Sequence, residues 1–216
     1  MLEQLPNKLP GAIPIFPLPG VLLLPLGTLP LNIFEPRYLS MTRDTMKQDW
    51  IIGMIQTKAQ SKNEECPDIY PVGCAGRITS FSETEDGRFL ITLKGISRFR
   101  ILRETPITSG YRNAEVHWDP FKLDIKSNDG SEVDRTTLEE ILYKYFSFKK
   151  IEVSWEAISE ASNEQLITSL AMQCPFTMEE KQALLEAPTQ ADRANIMVSI
   201  LSMVIKGNLT ASETLH

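Results

Sequence analysis

The stretch IPIFPLPGVLLLPLGTLPLNIFEPRYL, residues Ile13–Leu39, carries almost no charge before Glu35 and Arg37. Pro14, Pro17, Pro19 and Pro25 interrupt its apolar run. A membrane span needs about 20 unbroken apolar residues, and the apolar core of a leader must also be continuous. The prolines instead require extended chain and turns, because each removes a backbone N–H and fixes φ. Ile13–Leu18 fits an edge strand or an extended arm. Val21–Leu24 is short and wholly apolar, as in a buried strand. The simplest reading is a rigid strand–turn–strand entry to a β-barrel core. The other reading leaves part of this surface exposed for apolar partners. Pro36 suits the first position of a helix, where its missing N–H costs nothing. Leu39, Thr42 and Met46 follow at helical spacing, which predicts a helix ending near Gln48.

Outward from this stretch, the first part of the chain keeps a β character to about residue 118. Ile51–Thr57 (with Gly53 inside it), Val72–Phe81 and Arg88–Leu102 are short apolar-rich runs. Glu85-Asp86-Gly87 lies between the last two, and Asp-Gly supplies the positive φ that a tight hairpin needs. Phe89, Ile91, Leu93, Phe99 and Ile101 share one parity, and Gly95 marks a bulge or barrel corner. The small polar residues Lys126–Gly130 mark a boundary. Beyond them the pattern is helical. Ser131–Asp134 caps a helix whose stripe is Leu138, Ile141, Leu142 and Tyr145. Ser162 or Asn163 starts a helix with Leu166, Ile167, Leu170, Ala171 and Cys174 on one face. Thr177-Met178-Glu179-Glu180 is a capping box. A last helix, about Ala191–Lys206, keeps a narrow polar stripe of Asn195, Ser199, Ser202 and Lys206, belongs at the centre of a bundle, and stops at Gly207. The expected class is α+β: a β-barrel over residues 10–125, then an α-helical bundle over 131–207.

The 216 residues are 42% hydrophobic and 23% charged, enough for a packed core. The net charge of −6 disfavours nucleic acid, whose binders neutralise phosphate with a basic patch. Arg98, Arg100 and Arg103 are the nearest thing to a basic run. Cys66, Cys74 and Cys174 form neither a disulfide framework nor a CxxC pair, so reduced thiols and a cytoplasmic location are expected. No GxxxxGK[ST] loop is present for phosphate. The two histidines are His117 and His216, and a catalytic triad would have to use His117. Cys66, Cys74 and Asp68 do not complete a zinc set. Glu64-Glu65, Glu83/Glu85/Asp86 and Glu179-Glu180 suit solvated turns and helix starts. The expectation is no enzyme activity, no metal and no cofactor.

The run Pro14–Leu18 through Ile33–Tyr38 resembles the opening signature of the Lon protease N-terminal domain. Val72-Gly73-Cys74-Ala75-Gly76-Arg77-Ile78 is similar to that family's middle strand. Asp86-Gly87 with Leu93-Lys94-Gly95-Ile96-Ser97-Arg98-Phe99 is similar to its hairpin. Lys181-Gln182-Ala183-Leu184-Leu185-Glu186 with Arg193 fits its closing pattern. The resemblance covers about residues 11–206. It implies a PUA-like β pseudo-barrel followed by a helical bundle, and a role in binding unfolded or tagged polypeptides for a protease, here a separate one. Full Lon continues into an ATPase and a serine–lysine protease. The polar segment Asn208–His216 carries neither, so neither activity is expected here. The alternatives are a small-molecule or enzymatic role in a cleft between the two halves, or RNA binding through the PUA-like fold.

The candidate peptide-binding residues are Phe34, Glu35, Arg37 and Tyr38. Arg37 falls in the first helical turn, where the helix dipole disfavours a cation. It should therefore have a compensating partner, with Glu35 the nearest. The pair could simply staple the helix to the barrel. Alternatively, Phe34, Arg37 and Tyr38 edge a groove for extended peptide, the guanidinium holding carbonyls or carboxylates and the aromatics holding apolar side chains.

Overall fold

The computed structural model describes residues 9–59, 66–106, 110–125 and 133–213. The chain divides into two compact units, Met1–Ser127 and Asn128–His216. The boundary expected at Lys126–Gly130, and Glu64-Glu65, lie outside the described residues.

The described residues of the first unit form six strands: β1 (Ala12–Pro17), β2 (Thr28–Ile33), β3 (Ile51–Ile55), β4 (Val72–Glu83), β5 (Phe89–Thr105) and β6 (Arg112–His117), with α1 (Pro36–Met46) between β2 and β3. The sheet order is β2-β5-β4-β3-β1-β6, and β5 also pairs with β6, so the sheet closes on itself. With the helical second unit this is the expected α+β class. The β1–β3 pair is parallel; the other pairs are antiparallel.

β1 is not the edge strand that its prolines suggested. β6 pairs with Ala12–Ile15 and β3 with Ile15–Pro17, so the two neighbours overlap at Ile15 alone. Pro14 and Pro17 each sit where one flank is unpaired, which is where a missing N–H is tolerated. The run Val21–Leu24 is also not a strand. Leu22, Leu23 and Leu24 are nevertheless buried. This segment crosses the sheet: a Cβ on Gly95 would lie 2.0 Å from the Leu24 carbonyl oxygen, so only glycine admits the crossing. Leu26 then donates to the Gly95 carbonyl, Gly95 donates to that of Gly27, and β2 begins.

The bulge expected at Gly95 falls beside it. Gly76 pairs with Gly95 and Ala75 with Ser97, which leaves Ile96 as the extra residue. In the β4–β5 hairpin the positive φ is confined to Gly87, and Gly87 N–H donates to the Thr84 carbonyl. The loop is therefore a wider turn closed by a left-handed glycine, not a two-residue loop with both φ positive. Phe99 occupies the barrel interior among Ile13, Ile15, Ile51, Ile55 and Val116. Gly73 makes room for its ring: a Cβ there would stand 2.6 Å from the Phe99 ring. The buried face of α1 is Tyr38, Met41, Thr42 and Thr45, displaced from the Leu39–Thr42–Met46 stripe, with the Tyr38 ring packed at a tilt on Phe16 at 4.2 Å.

The second unit comprises α2 (Arg135–Lys149), α3 (Trp155–Glu160), α4 (Asn163–Gln173), α5 (Met178–Glu186) and α6 (Gln190–Glu213). Asp134 caps α2, and Ser162 and Thr177 form capping boxes with Gln165 and Glu180. α6 packs against α2, α4 and α5, the central place that its narrow polar stripe requires. It continues through Gly207 rather than stopping there. Glycine mid-helix costs about 1 kcal/mol relative to alanine, too little to end a helix by itself. Buried Arg193 of α6 donates from Nε to the Leu184 carbonyl at 2.8 Å, answering one of the open carbonyls at the end of α5.

Candidate functional site

At the start of α1, Glu35 occupies the N-cap position in an extended conformation, without a capping bond from its side chain. Its carboxylate faces Arg37 instead: Arg37 Nε donates to Glu35 Oε2 at 2.9 Å, and a terminal guanidinium nitrogen lies 2.8 Å from the same oxygen. Glu35 is thus the compensating partner that the dipole argument required. The Arg37 guanidinium also stands 4.6 Å above the Tyr38 ring. Tyr38 is buried, which raises its phenol above the usual range, with Arg37 partly opposing. Phe34 is 62% exposed. The structure therefore brings Glu35, Arg37 and Tyr38 into contact and leaves Phe34 turned to solvent.

A larger apolar feature lies in the second unit, where the sequence raised no candidate. α2 ends with Lys150 in the left-handed conformation. Ile151 N–H reaches back to the Phe146 carbonyl at 3.0 Å and Lys150 N–H to that of Ser147. This is the Schellman arrangement, which brings the residue after the turn against the helix it leaves. Phe146 and Ile151 thereby become neighbours on one wall. The chain then runs through Val153 into α3, none of whose residues is buried. α3 is tied back to α2 by Arg135: its guanidinium donates to the Ala161 carbonyl at 3.1 Å, to Asn163 Oδ1 at 3.0 Å and to the Ile158 carbonyl, while Glu139 pairs with it at 2.5 Å.

Between α3, α4 and the end of α2 lies a cleft of about 540 Å³. Phe146, Ile151, Val153, Ile158, Leu166 and Leu170 supply its apolar walls. Its volume and lining are those of a pocket that takes up apolar groups. Around it the hydrophobic surface continues outward. Tyr143 is 61% exposed and Ile151 42%, and Trp155 packs its ring on Tyr143 at 5.5 Å and on Phe146 at 6.2 Å. Cys174 lines the cleft but is buried, and burial pushes its thiol up to about 11. It is therefore protonated and a poor nucleophile near neutral pH.

The residues weighed for catalysis are dispersed. His117 Nε2 lies 3.2 Å from Asp119 Oδ2, both exposed; Lys122 and then His117 hold the Asp119 carboxyl below its usual range. Among the described residues, no group of three His, Cys, Asp or Glu could hold a metal ion. The three arginines of the basic run do not form a patch. Arg98 is buried on Asp124, and Arg103 pairs with Glu115 at 2.5 Å. Arg100 is exposed on β5. No described helix is long and apolar enough to cross a membrane.

A closed mixed sheet followed by a helical bundle is also the fold of two solved structures. One is a Lon N-terminal domain protein from Xanthomonas campestris, with a TM-score of 0.60 at 23% identity, covering 87% of this chain and 97% of that one. The other is the N-terminal domain of a Mycobacterium avium complex Lon protease, with a TM-score of 0.65 at 13% identity, covering 88% and 98%. The sequence matches the ATP-dependent protease La (LON) substrate-binding domain over residues 12–203, and the chain belongs to that family. Lon protease 2 of Myxococcus xanthus is 25% identical over 91% of this chain, and Lon protease 1 of Bdellovibrio bacteriovorus is 25% identical over 85%. The chain spans about a quarter of the length of each, 24% in both cases.

The cleft was missed because it has no motif. Its one sequence signal is Ile151, Val153 and Trp155, an alternation that imitates a short strand in a segment lying between two helices. That pattern is what an exposed apolar rim between two helices leaves behind.

Proposed function

We propose that this chain is a non-catalytic recognition module that binds unfolded or otherwise exposed apolar segments of other polypeptides and presents them to a protease in the cytoplasm. Membership of the substrate-binding family supports a recognition role. The observation that carries the reading is the apolar cleft of about 540 Å³ with its exposed aromatic rim in the second unit. Contiguous apolar surface of this kind is kept out of water in folded monomers unless it serves a partner. A cleft walled by aliphatic and aromatic side chains takes up bulky apolar residues, which a folded protein hides and an unfolded one displays. The corner of Phe34, Glu35, Arg37 and Tyr38 is a second contact in this reading. There Phe34 is exposed, and the Arg37 guanidinium could exchange Glu35 for a carbonyl or carboxylate of an extended peptide.

The test is fluorescence anisotropy with one labelled protein, presented either native or reduced and carboxymethylated. Saturable binding of the unfolded form, with none of the native form and no cleavage of either, is the expected result. Equal binding of both forms, or cleavage abolished by a point substitution in this chain, would overturn the reading. For the α1 corner, Arg37→Ala should change stability by less than about 1 kcal/mol, because the Glu35 pair is solvent-exposed. It should weaken binding of the unfolded form. Unchanged affinity would remove the corner from the binding surface.

A further inference from the structure

In sequence the charge around the cleft is one-sided, and the guanidinium that reaches it, that of Arg135 at the Ala161 and Ile158 carbonyls, is paired with Glu139. From Ile151 to Glu180 the sequence has no Lys, Arg or His, while Glu152, Glu156, Glu160, Glu164, Glu179 and Glu180 all fall within it. Glu152 lines the cleft and is exposed. Glu156 and Glu160 are exposed on α3, and each precedes by one position an alanine, Ala157 or Ala161, that lines the cleft. On a helix, neighbouring residues lie about 100° apart round the axis, so these carboxylates stand on the flank of the wall that Ala157 forms. Glu164 opens α4, where the helix dipole favours an anion.

The cations nearest in sequence do not cancel this rim. Lys149 lies over the Phe148 ring at 5.7 Å, and Lys150 occupies the left-handed turn at the end of α2. Lys181 is buried near Cys174. The occupant that such a surface favours has apolar side chains for the cleft and positive charge for its edge.

We propose that the cleft of the second unit selects cationic apolar segments: stretches of unfolded polypeptide in which leucine or aromatic residues are flanked by lysine or arginine. This rests on the recognition reading above and narrows it to a substrate class. Exposed ion pairs contribute little individually, so selectivity must come from several carboxylates acting along one edge. Rim charges of this kind act on specificity and on association rate more than on total affinity. An acidic segment of the same hydrophobicity should dock its apolar side chains equally well and be repelled at the rim.

The experiment compares two labelled synthetic peptides of identical leucine and phenylalanine content, one with lysine at every charged position and one with glutamate there. Binding to the full chain is measured by anisotropy at about 0.05 M and about 0.5 M salt, where the screening length falls from roughly 14 Å to roughly 4 Å. The lysine peptide should bind about tenfold more tightly at low salt, with the gap closing at high salt. E156K/E160K should abolish or reverse the preference, and E156Q/E160Q should reduce it without introducing new charge. All four substitutions fall at exposed positions, so the fold should be retained. Ala157→Trp, also at an exposed position, should fill the cleft and weaken both peptides together. Equal affinity for the two peptides, a preference that survives E156K/E160K, or undiminished binding by Ala157→Trp would each overturn the proposal. In those cases binding of an unfolded protein by the same chain would leave the broader reading standing. Failure of the chain to bind either peptide or an unfolded protein would overturn both.

Discussion

Arg98 and Asp124 form the most completely buried ion pair described in the first unit, at 5% and 7% side-chain exposure. Arg98 Nε and a terminal nitrogen hold both carboxylate oxygens, the Arg98 backbone N–H adds a third donor, and the guanidinium lies 4.7 Å from the Phe121 ring. A buried pair of this kind contributes little beyond its desolvation cost, but breaking it strands a charge. Asp124→Ala should therefore destabilise the unit by about 3–5 kcal/mol in urea denaturation. A loss below about 1 kcal/mol would show that water reaches Arg98. Cys174 gives a prediction with a sign. Its folded value of about 11 lies above the ordinary 9.0, so the protonated thiol is favoured in the fold. The resulting stabilisation is fully present below pH 9 and is lost as pH rises towards 11. Cys174→Ala lacks this dependence. Between pH 8 and pH 10 the wild type should lose about 1 kcal/mol relative to the variant. The lowered value of Lys181 acts in the opposite direction, and the subtraction removes most of it because both proteins carry that lysine. A difference that does not change with pH would mean the thiol is solvated.

At the scale of elements, α3 is a helix of six residues with no buried side chain. Helices this short do not persist on propensity, because nucleation costs more than so few hydrogen bonds return. Ser154 caps its start by accepting from Ala157 N–H at 3.2 Å, and Arg135 collects carbonyls at its end. Arg135→Ala should accelerate amide exchange across Trp155–Glu160 and leave exchange in the core of α6 unchanged. Uniform acceleration throughout the unit would assign Arg135 to global stability instead, and no change would remove it as a clamp. Neither α3 nor the cleft beside it was legible in the sequence, for a physical reason. The turn that builds the wall places a lysine, not the usual glycine, in the left-handed conformation, so the ordinary stop signal is missing. Caps were legible where local chemistry is self-contained, at Ser162 and at Thr177 with Glu180. β2 was not, because its pattern (Thr28, Leu29, Pro30, Leu31, Asn32, Ile33) reads as loop until β5 supplies the pairing partner.

Across the whole molecule, the order of a β part and a helical part was readable from the change of period near residue 130. Closure of the sheet was expected as a barrel, but its strand order was not readable, since the β1–β6 pairing joins the two ends of the β part. The prolines of β1 suggested an edge because a local rule cannot foresee that two neighbours will share the strand end to end. The candidate corner at Phe34–Tyr38 was visible because charge, proline and aromatics cluster there. The cleft depends on residues from Tyr145 to Pro175 folding round an empty space, which no single segment announces. If recognition runs through this cleft, unfolded polypeptide is taken up there. Hydrogen–deuterium exchange of the full chain, with and without a reduced and carboxymethylated protein bound, tests it directly. Exchange should slow across residues 146–174, with the β strands round Phe99 unchanged. Binding that leaves residues 146–174 exchanging at their free rate would contradict it.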